Sequence, residues 1–138
     1  SKKLKKTVED ENIHDVICTG SRNDVADIIP SCDVLILPSF SESFGLVLIE
    51  ALACGKPVIG SNVGGITEII NENVGLLVDP NKVASIAKAI DTVIDDEELR
   101  SSLALNARAR AMDFSEVEIP YDEVKKWNKQ LDHLVLQQ

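Results

Sequence analysis

Two glutamates eight residues apart are the side chains of this sequence best suited to chemistry. Glu42 lies in a polar stretch between Pro38 and Gly45, and Glu50 lies inside the apolar run 44–54, FGLVLIEALAC. A carboxylate among aliphatic side chains needs a polar partner when it is buried. Glu50 could therefore accept two hydrogen bonds from a vicinal diol such as a ribose, while Glu42 could face a ligand from the loop. The alternative is a helix-capping acid and a solvated acid without a ligand.

The segment between these acids also suits an anionic ligand. The run 33–38, DVLILP, predicts a strand that ends at Pro38, and small polar residues and Gly45 then lead into a helix. Backbone N–H groups at a helix start lack partners within the helix and bind phosphate readily. Since ligands of α/β proteins bind at the carboxyl ends of parallel strands, this loop is the predicted site.

Four short aliphatic runs predict strands that are covered on both faces: 15–20, 33–38, 57–61 and 75–79. Helical patterns alternate with them, with Asp24 and Asn81 as predicted N-caps. These patterns span residues 2–11, 24–29, 44–54, 66–71, 83–94, 95–107 and 121–136. The alternation predicts an α/β fold, a Rossmann-like doubly wound parallel sheet with a helical C-terminus.

Composition narrows the class of protein. A length of 138 residues suits one domain, and a net charge of −9 argues against a nucleic-acid partner. The three cysteines are widely spaced and the two histidines have no metal-ligand spacing, so we expect reduced thiols and no metal site. No apolar run reaches the ~18 residues of a membrane-spanning helix, and no secretory leader pattern is present, which predicts a cytoplasmic protein.

A longer series of motifs resembles the C-terminal half of the family 4 glycosyltransferases. The series reads PS at 38–39, ESFG at 42–45, EALACGKPV at 50–58, GGITE at 64–68 and GLLV at 75–78. The resemblance extends from about residue 16 to residue 114. Members of that family are retaining enzymes of the GT-B fold that use nucleotide-diphosphate sugars. The resemblance therefore implies transfer of a sugar with retention of configuration, in polysaccharide or glycolipid synthesis.

The resemblance also assigns roles to the loop residues. Glu42 would be the catalytic residue of the set, holding the hydroxyls of the donor sugar and lying near the reacting centre. Phe44, Gly45 and Leu46 would present backbone amides to the sugar and the diphosphate, and Ser43 belongs to the same donor-binding loop. Such amides stabilise the charge that develops on the leaving diphosphate.

The nucleoside end of the donor is assigned in the same way. Glu50 would bind the ribose hydroxyls, and Gly20, Ser21 and Arg22 match the place where the nucleobase packs. For Arg22, an ordinary surface arginine remains the alternative. No cofactor and no metal ion are expected, since the family does not generally need a metal and the sequence lacks a D-x-D motif.

Two glycines follow the third predicted strand. Gly64 and Gly65 would let the backbone turn tightly beside the site, with Glu68 as an acid at the next helix start. Plain turn chemistry remains an equal alternative for the pair.

Two parts of a complete GT-B enzyme are expected to be missing. An acceptor domain cannot fit in this length, and the two βα units that open the family's second domain, with their diphosphate-binding Arg and Lys, do not match this sequence. Residues 1–138 are thus predicted to be one truncated domain that binds the nucleotide-sugar donor but is inactive alone. Its partner would be an N-terminal acceptor domain, through which the membrane would be approached.

The same gap affects the sheet. The run 15–20 would be separated from the other strands by about 14 Å, three strand spacings. It would pair directly with 33–38, or a second copy of the chain would fill the gap, or an edge would stay exposed and favour self-association. The functional alternatives are a non-catalytic nucleotide-sugar-binding module, a fragment of a nucleotide-sugar 2-epimerase, and a purely structural domain.

Overall fold

Three of the aliphatic runs pair as neighbouring parallel strands. The computed structural model of the chain describes residues 2–115. Its elements in chain order are α1 (Lys2–Asp10), α2 (Val25–Ile28), a 3₁₀ turn (Ile29–Ser31), β1 (Leu35–Leu37), α3 (Leu46–Ala53), β2 (Val58–Ser61), α4 (Ile66–Ile69), β3 (Gly75–Val78), α5 (Val83–Asp95) and α6 (Glu97–Met112).

The sheet has the order β1-β2-β3, and both pairings are parallel. Ile59 in the central strand lies opposite Ile36 on one side and Leu76 on the other. Because consecutive strands are parallel, each is joined to the next by a crossover that contains a helix: α3 between β1 and β2, and α4 between β2 and β3. The predicted α/β fold is confirmed, with three parallel strands in the described part of the chain.

The strand predicted at 15–20 is wrong. That segment is irregular, and Ile17 in its centre is 87% exposed. A strand needs a hydrogen-bonded neighbour, and the described sheet contains only β1, β2 and β3. Without a partner the backbone groups of this segment gain nothing from extended pairing, so the apolar pattern alone does not make a strand.

The core lies on both faces of the sheet. Val58 of β2 packs with buried residues of α3, α4 and α6, such as Leu52 and Ile66. The next residue, Ile59, points to the opposite face and packs with Val93 of α5. Alternate residues of one strand thus bury into two helical layers, as expected for a doubly wound sheet.

Neither of the two predicted N-caps makes a capping side-chain hydrogen bond, although Asp24 does occupy the N-cap position of α2. Asp24 flanks α2 but makes no capping hydrogen bond, because its carboxylate is engaged by Arg22. Asn81 lies in a turn where its N–H donates to Asp79, and α5 begins two residues later without a side-chain cap. The helix predicted at 121–136 lies outside the described residues.

Between residues 2 and 115, no helix has both the length and the apolar character needed to cross a membrane.

Candidate functional site

The start of α3 is held in place by a glycine. Gly45 has φ +73, in the left-handed region that favours glycine. A Cβ there would lie 3.2 Å from Leu48 Cδ1, tighter than ordinary contact. α3 therefore begins at Leu46, with the N–H of Leu48 donating to the Gly45 carbonyl at 2.9 Å. The first turn of the helix follows the loop at the carboxyl end of β1.

Glu50 is buried on this helix and faces a cavity. Its exposed fraction is 9%, and its neighbours along α3 are buried aliphatic residues. The cavity has a volume of about 340 Å³, within the range of ligand sites. It is lined by Arg22, Asn23, Val25, Ala26, Leu46, Val47 and Glu50. An acid and a guanidinium thus share one hollow between α3 and the segment that leads into α2.

Arg22 is fixed by an acid two residues away. Its Nε donates to Asp24 Oδ1 at 2.7 Å and its Nη2 donates to Asp24 Oδ2 at 2.5 Å. This bidentate pair lowers the pKa of Asp24 and raises the pKa of Arg22, chiefly through the side-chain hydrogen bonds. Both side chains are exposed to solvent, so the pair contributes little to stability. The ion pair instead fixes the orientation of the Arg22 guanidinium beside the cavity.

Glu42 lies in the loop before α3, half-buried and outside the walls of that cavity. The Phe44 N–H is 3.5 Å from Glu42 Oε1, at the limit of a hydrogen bond. The Glu42 carbonyl accepts a firmer bond from the Gly65 N–H at 3.2 Å. Glu42 and Glu50 therefore flank the start of α3 from the loop and from the helix respectively.

Gly64 and Gly65 lie directly against this loop. Gly64 has φ +48, and a Cβ there would lie 2.1 Å from the Glu42 carbonyl oxygen. A Cβ on Gly65 would lie 2.3 Å from the Ser43 carbonyl oxygen. The tight turn that the sequence suggested is present, and it touches the loop that carries Glu42.

The sequence matches the glycosyl transferases group 1 family over residues 1–110. The chain belongs to this family. The resemblance to GT-B glycosyltransferases is thereby confirmed.

Named relatives agree with this membership. A D-inositol 3-phosphate glycosyltransferase of Paenarthrobacter aurescens is 37% identical over 115 residues, which cover 80% of this chain and 28% of that protein. Among solved structures, sucrose-phosphate synthase from Thermosynechococcus elongatus superposes with a TM-score of 0.73 at 30% identity, over 99% of this chain and 34% of that one. The Anabaena protein Alr3699/HepE in complex with UDP gives a TM-score of 0.75 at 28% identity, over 99% and 36% of the two chains. This chain spans about a third of the length of these proteins.

The predicted site residues of this group 1 family member fall into two sets. Arg22, Leu46 and Glu50 line the cavity together. The remaining loop residues lie next to it along the chain without lining it: Glu42, Ser43, Phe44 and Gly45 before α3, and Gly20 and Ser21 before Arg22. A Cβ placed on Gly20 would have no neighbouring heavy atom within 4 Å, so this glycine faces open space.

Sequence reasoning missed the apolar wall of the cavity and the partner of Arg22. Val25, Ala26 and Val47 supply the wall. The spacing of opposite charges in Arg22-x-Asp24 is a signal that could have identified the ion pair. The wall depends on how α2 meets α3, and no local pattern encodes that contact.

Two larger hollows lie on the α5 side of the sheet and suit a diphosphate less well. One, of about 780 Å³, is shallow, and its charged lining consists of four acids (Asp91, Asp95, Asp96 and Glu97) and one lysine, Lys88, so its net charge repels an anion. The other, of about 450 Å³, is lined mainly by aliphatic residues of the sheet and α5. The smaller cavity at Glu50 is therefore the better candidate for a polar, anionic ligand.

Among residues 2–115, no cluster of three His, Cys, Asp or Glu side chains is arranged to hold a metal ion. Cys18, Cys32 and Cys54 form no disulfide, and Cys54 is buried.

Proposed function

We propose that this chain is the donor-binding part of a glycosyltransferase that moves a sugar from a nucleotide-diphosphate sugar to an acceptor with retention of anomeric configuration. Polysaccharide or glycolipid synthesis is the setting we infer. The observation that carries the proposal is the buried carboxylate of Glu50 facing a cavity beside the start of α3. The structurally similar protein Anabaena Alr3699/HepE supports the proposal, since it was crystallised with UDP, with UDP and glucose, and with UDP-glucose.

Glu50 suits a ribose for a chemical reason. An ionised carboxylate accepts hydrogen bonds and donates none, so two adjacent hydroxyls are its natural bidentate partner. Burial at 9% exposure reduces competition from water and strengthens those bonds. The aliphatic wall of Val25, Ala26 and Val47 would contact the sugar ring and the base.

Arg22 would pack against the nucleobase. A guanidinium is planar and weakly hydrated, and it stacks on aromatic rings. Because Asp24 already holds its plane with two hydrogen bonds, little side-chain entropy would be lost on binding.

The loop before α3 would bind the rest of the donor. The amides of Phe44, Gly45 and Leu46 would meet the diphosphate at the helix start, and the carboxylate of Glu42 would bind the hydroxyls of the sugar. The weak 3.5 Å contact between the Phe44 N–H and Glu42 Oε1 would be readily exchanged for ligand contacts. No metal ion and no cofactor are included in this proposal.

We place the acceptor site in a part of the full-length enzyme that corresponds to the two thirds of the relatives that this chain does not match. Since this chain spans about a third of those proteins, we expect residues 1–138 alone to bind the donor without transferring its sugar. A cytoplasmic location, with any approach to a membrane made by the acceptor half, is part of the same proposal. The relatives' names favour a transferase over a 2-epimerase or a binding module.

Calorimetric titration with UDP, GDP, UDP-glucose and GDP-mannose tests the proposal. Glu50→Gln keeps the volume of the side chain and removes its charge. Losing a buried charged hydrogen bond should weaken nucleotide binding about tenfold or more. The matched control is Glu72→Gln, an exposed acid in the turn before β3, which should bind as the wild type does.

Wild-type chain that binds none of the four nucleotides would overturn the proposal. Equal affinities of the wild type and Glu50→Gln would remove Glu50 from the ligand site.

A further inference from the structure

We propose that Gly64 and Gly65, here called the glycine turn, position Glu42 for the sugar of the donor. The inference rests on the proposed function of Glu42. It concerns two residues that do not touch the ligand in that proposal but fix the backbone of one that does.

The glycine turn packs against residues 42–44, here called the donor loop, and this contact leaves no room for a side chain. A Cβ on Gly64 would approach the Glu42 carbonyl oxygen to 2.1 Å, and a Cβ on Gly65 would approach the Ser43 carbonyl oxygen to 2.3 Å and Phe44 Cα to 2.9 Å. All three obstructing atoms belong to the backbone, which cannot swing aside as a flexible side chain can. Three consecutive residues of the donor loop are therefore packed against the turn.

A hydrogen bond adds direction to this packing. The Gly65 N–H donates to the Glu42 carbonyl at 3.2 Å. The bond fixes the peptide that follows Glu42, whereas among residues 2–115 the Glu42 side chain makes a single hydrogen-bond contact, the long one to the Phe44 N–H. The backbone of Glu42 is thus fixed, while its carboxylate can turn to bind the hydroxyls of the donor sugar.

The glycine turn is itself anchored in the core. The Thr67 hydroxyl donates to the Gly64 carbonyl at 2.9 Å, and α4 follows directly. Ile66 and Ile69 of this helix are fully buried. A continuous path therefore runs from the core through α4 and the glycine turn to the backbone of Glu42.

Glu50 is positioned by other contacts. It lies on α3, whose buried face packs with β2 and α6, and it lines the cavity with Arg22. Displacing the donor loop by the width of a methyl group should therefore disturb binding of the sugar more than binding of the nucleotide. Misplacement of a binding group by about 1 Å is enough to lose most of its effect.

The experiment compares two ligands across matched glycine variants of the 138-residue chain. Gly64→Ala and Gly65→Ala are titrated with UDP and with UDP-glucose, and the ratio of the two affinities is the readout. The control is Gly55→Ala, where φ is +73 and a Cβ would meet only the guanidinium of Arg108, at 3.1 Å. We expect the turn variants to weaken UDP-glucose binding more than UDP binding, which depends on the Phe44 amide but not on Glu42, and to lose about tenfold of the UDP-glucose to UDP ratio. Gly55→Ala should keep both affinities.

A further substitution, Gly64→Asn, separates steric overlap from backbone strain. Asn tolerates a positive φ better than Ala but carries the same Cβ. Gly64→Asn should therefore be as harmful as Gly64→Ala if overlap with Glu42 is the cause. Amide resonances of the ¹⁵N-labelled chain give a readout without ligand: those of Glu42, Ser43 and Phe44 should shift in the turn variants.

Turn variants that keep the UDP-glucose to UDP ratio would overturn the inference, as would variants that lose both ligands equally. A wild type that binds UDP-glucose no more tightly than UDP would overturn it as well, while leaving nucleotide binding intact. A wild type that binds neither would overturn the proposed function; unshifted donor-loop amides would then also overturn the positioning.

Discussion

Glu50 and Cys54 lie one helical turn apart at the buried face of α3. The thiol is 7% exposed, and burial raises its pKa to about 11 from the ordinary 9.0. The Glu50 carboxylate adds to this increase, whereas Lys56 and Arg108 oppose it.

The raised pKa of Cys54 predicts a loss of stability in alkali. An unfolded thiol releases its proton above pH 9.0, while the folded thiol keeps it until about pH 11, so the stabilising contribution is complete below pH 9.0 and disappears as the pH rises through 11. Between about pH 8 and about pH 10.5, wild type should lose roughly 1–2 kcal/mol more unfolding free energy than Cys54→Ala. Urea unfolding of both chains at the two pH values measures the difference. Parallel decreases would show that the folded thiol has an ordinary pKa.

At the residue scale, the sequence identified acids and glycines but not what surrounds them. Glu50 could be predicted because a carboxylate inside an aliphatic run is chemically exceptional. The separation of Glu42 from the cavity of Glu50 could not, because it depends on how the loop folds back onto Gly64 and Gly65.

Asp96 connects α5 and α6 and caps the second of these helices. Its carboxylate accepts a hydrogen bond from the Leu99 N–H at 2.9 Å, and Glu97 and Glu98 follow in the first turn. Acids at a helix start stabilise its exposed N–H groups and its dipole. Further along, Ala107 and Ala111 of α6 pack in the same core cluster as α3.

Removing this cap should destabilise the chain without changing the site directly. Asp96→Ala should lower the free energy of unfolding by about 1 kcal/mol in urea, with an unchanged m-value. Asp95→Ala is the matched control: this exposed acid ends α5, where a negative charge is unfavourable, and its loss should be neutral or slightly stabilising. Equal effects of the two substitutions would mean that the capping bond contributes nothing.

At the scale of elements, periodicity predicted what is local and missed what depends on a distant partner. The runs at 33–38, 57–61 and 75–79 are strands because each finds a neighbour in the sheet. The run at 15–20 has the same composition but no neighbour, and it stays irregular. The expected capping bond of Asp24 is absent because Arg22 engages its carboxylate, and that of Asn81 is absent because Asn81 lies in a turn and donates to Asp79 before α5 begins.

At the scale of the molecule, β1 and β3 form the two edges of the described sheet. Ile36 of β1 is partly exposed on an aliphatic hollow. Self-association through such an edge stays a prediction. An acceptor domain also stays a prediction; it would lie in the part of the longer relatives that this chain does not match. The fold class and family could be predicted from the sequence because the motifs from residue 38 to residue 78 are specific as a set.

The most direct test of donor binding is a crystal structure of the chain grown with UDP. The expected result has the ribose hydroxyls within hydrogen-bonding distance of the Glu50 carboxylate, the base against Arg22, and the diphosphate at the amides that begin α3. UDP bound elsewhere, or an empty cavity with the Glu50 carboxylate turned to another part of the protein, would contradict the assignment.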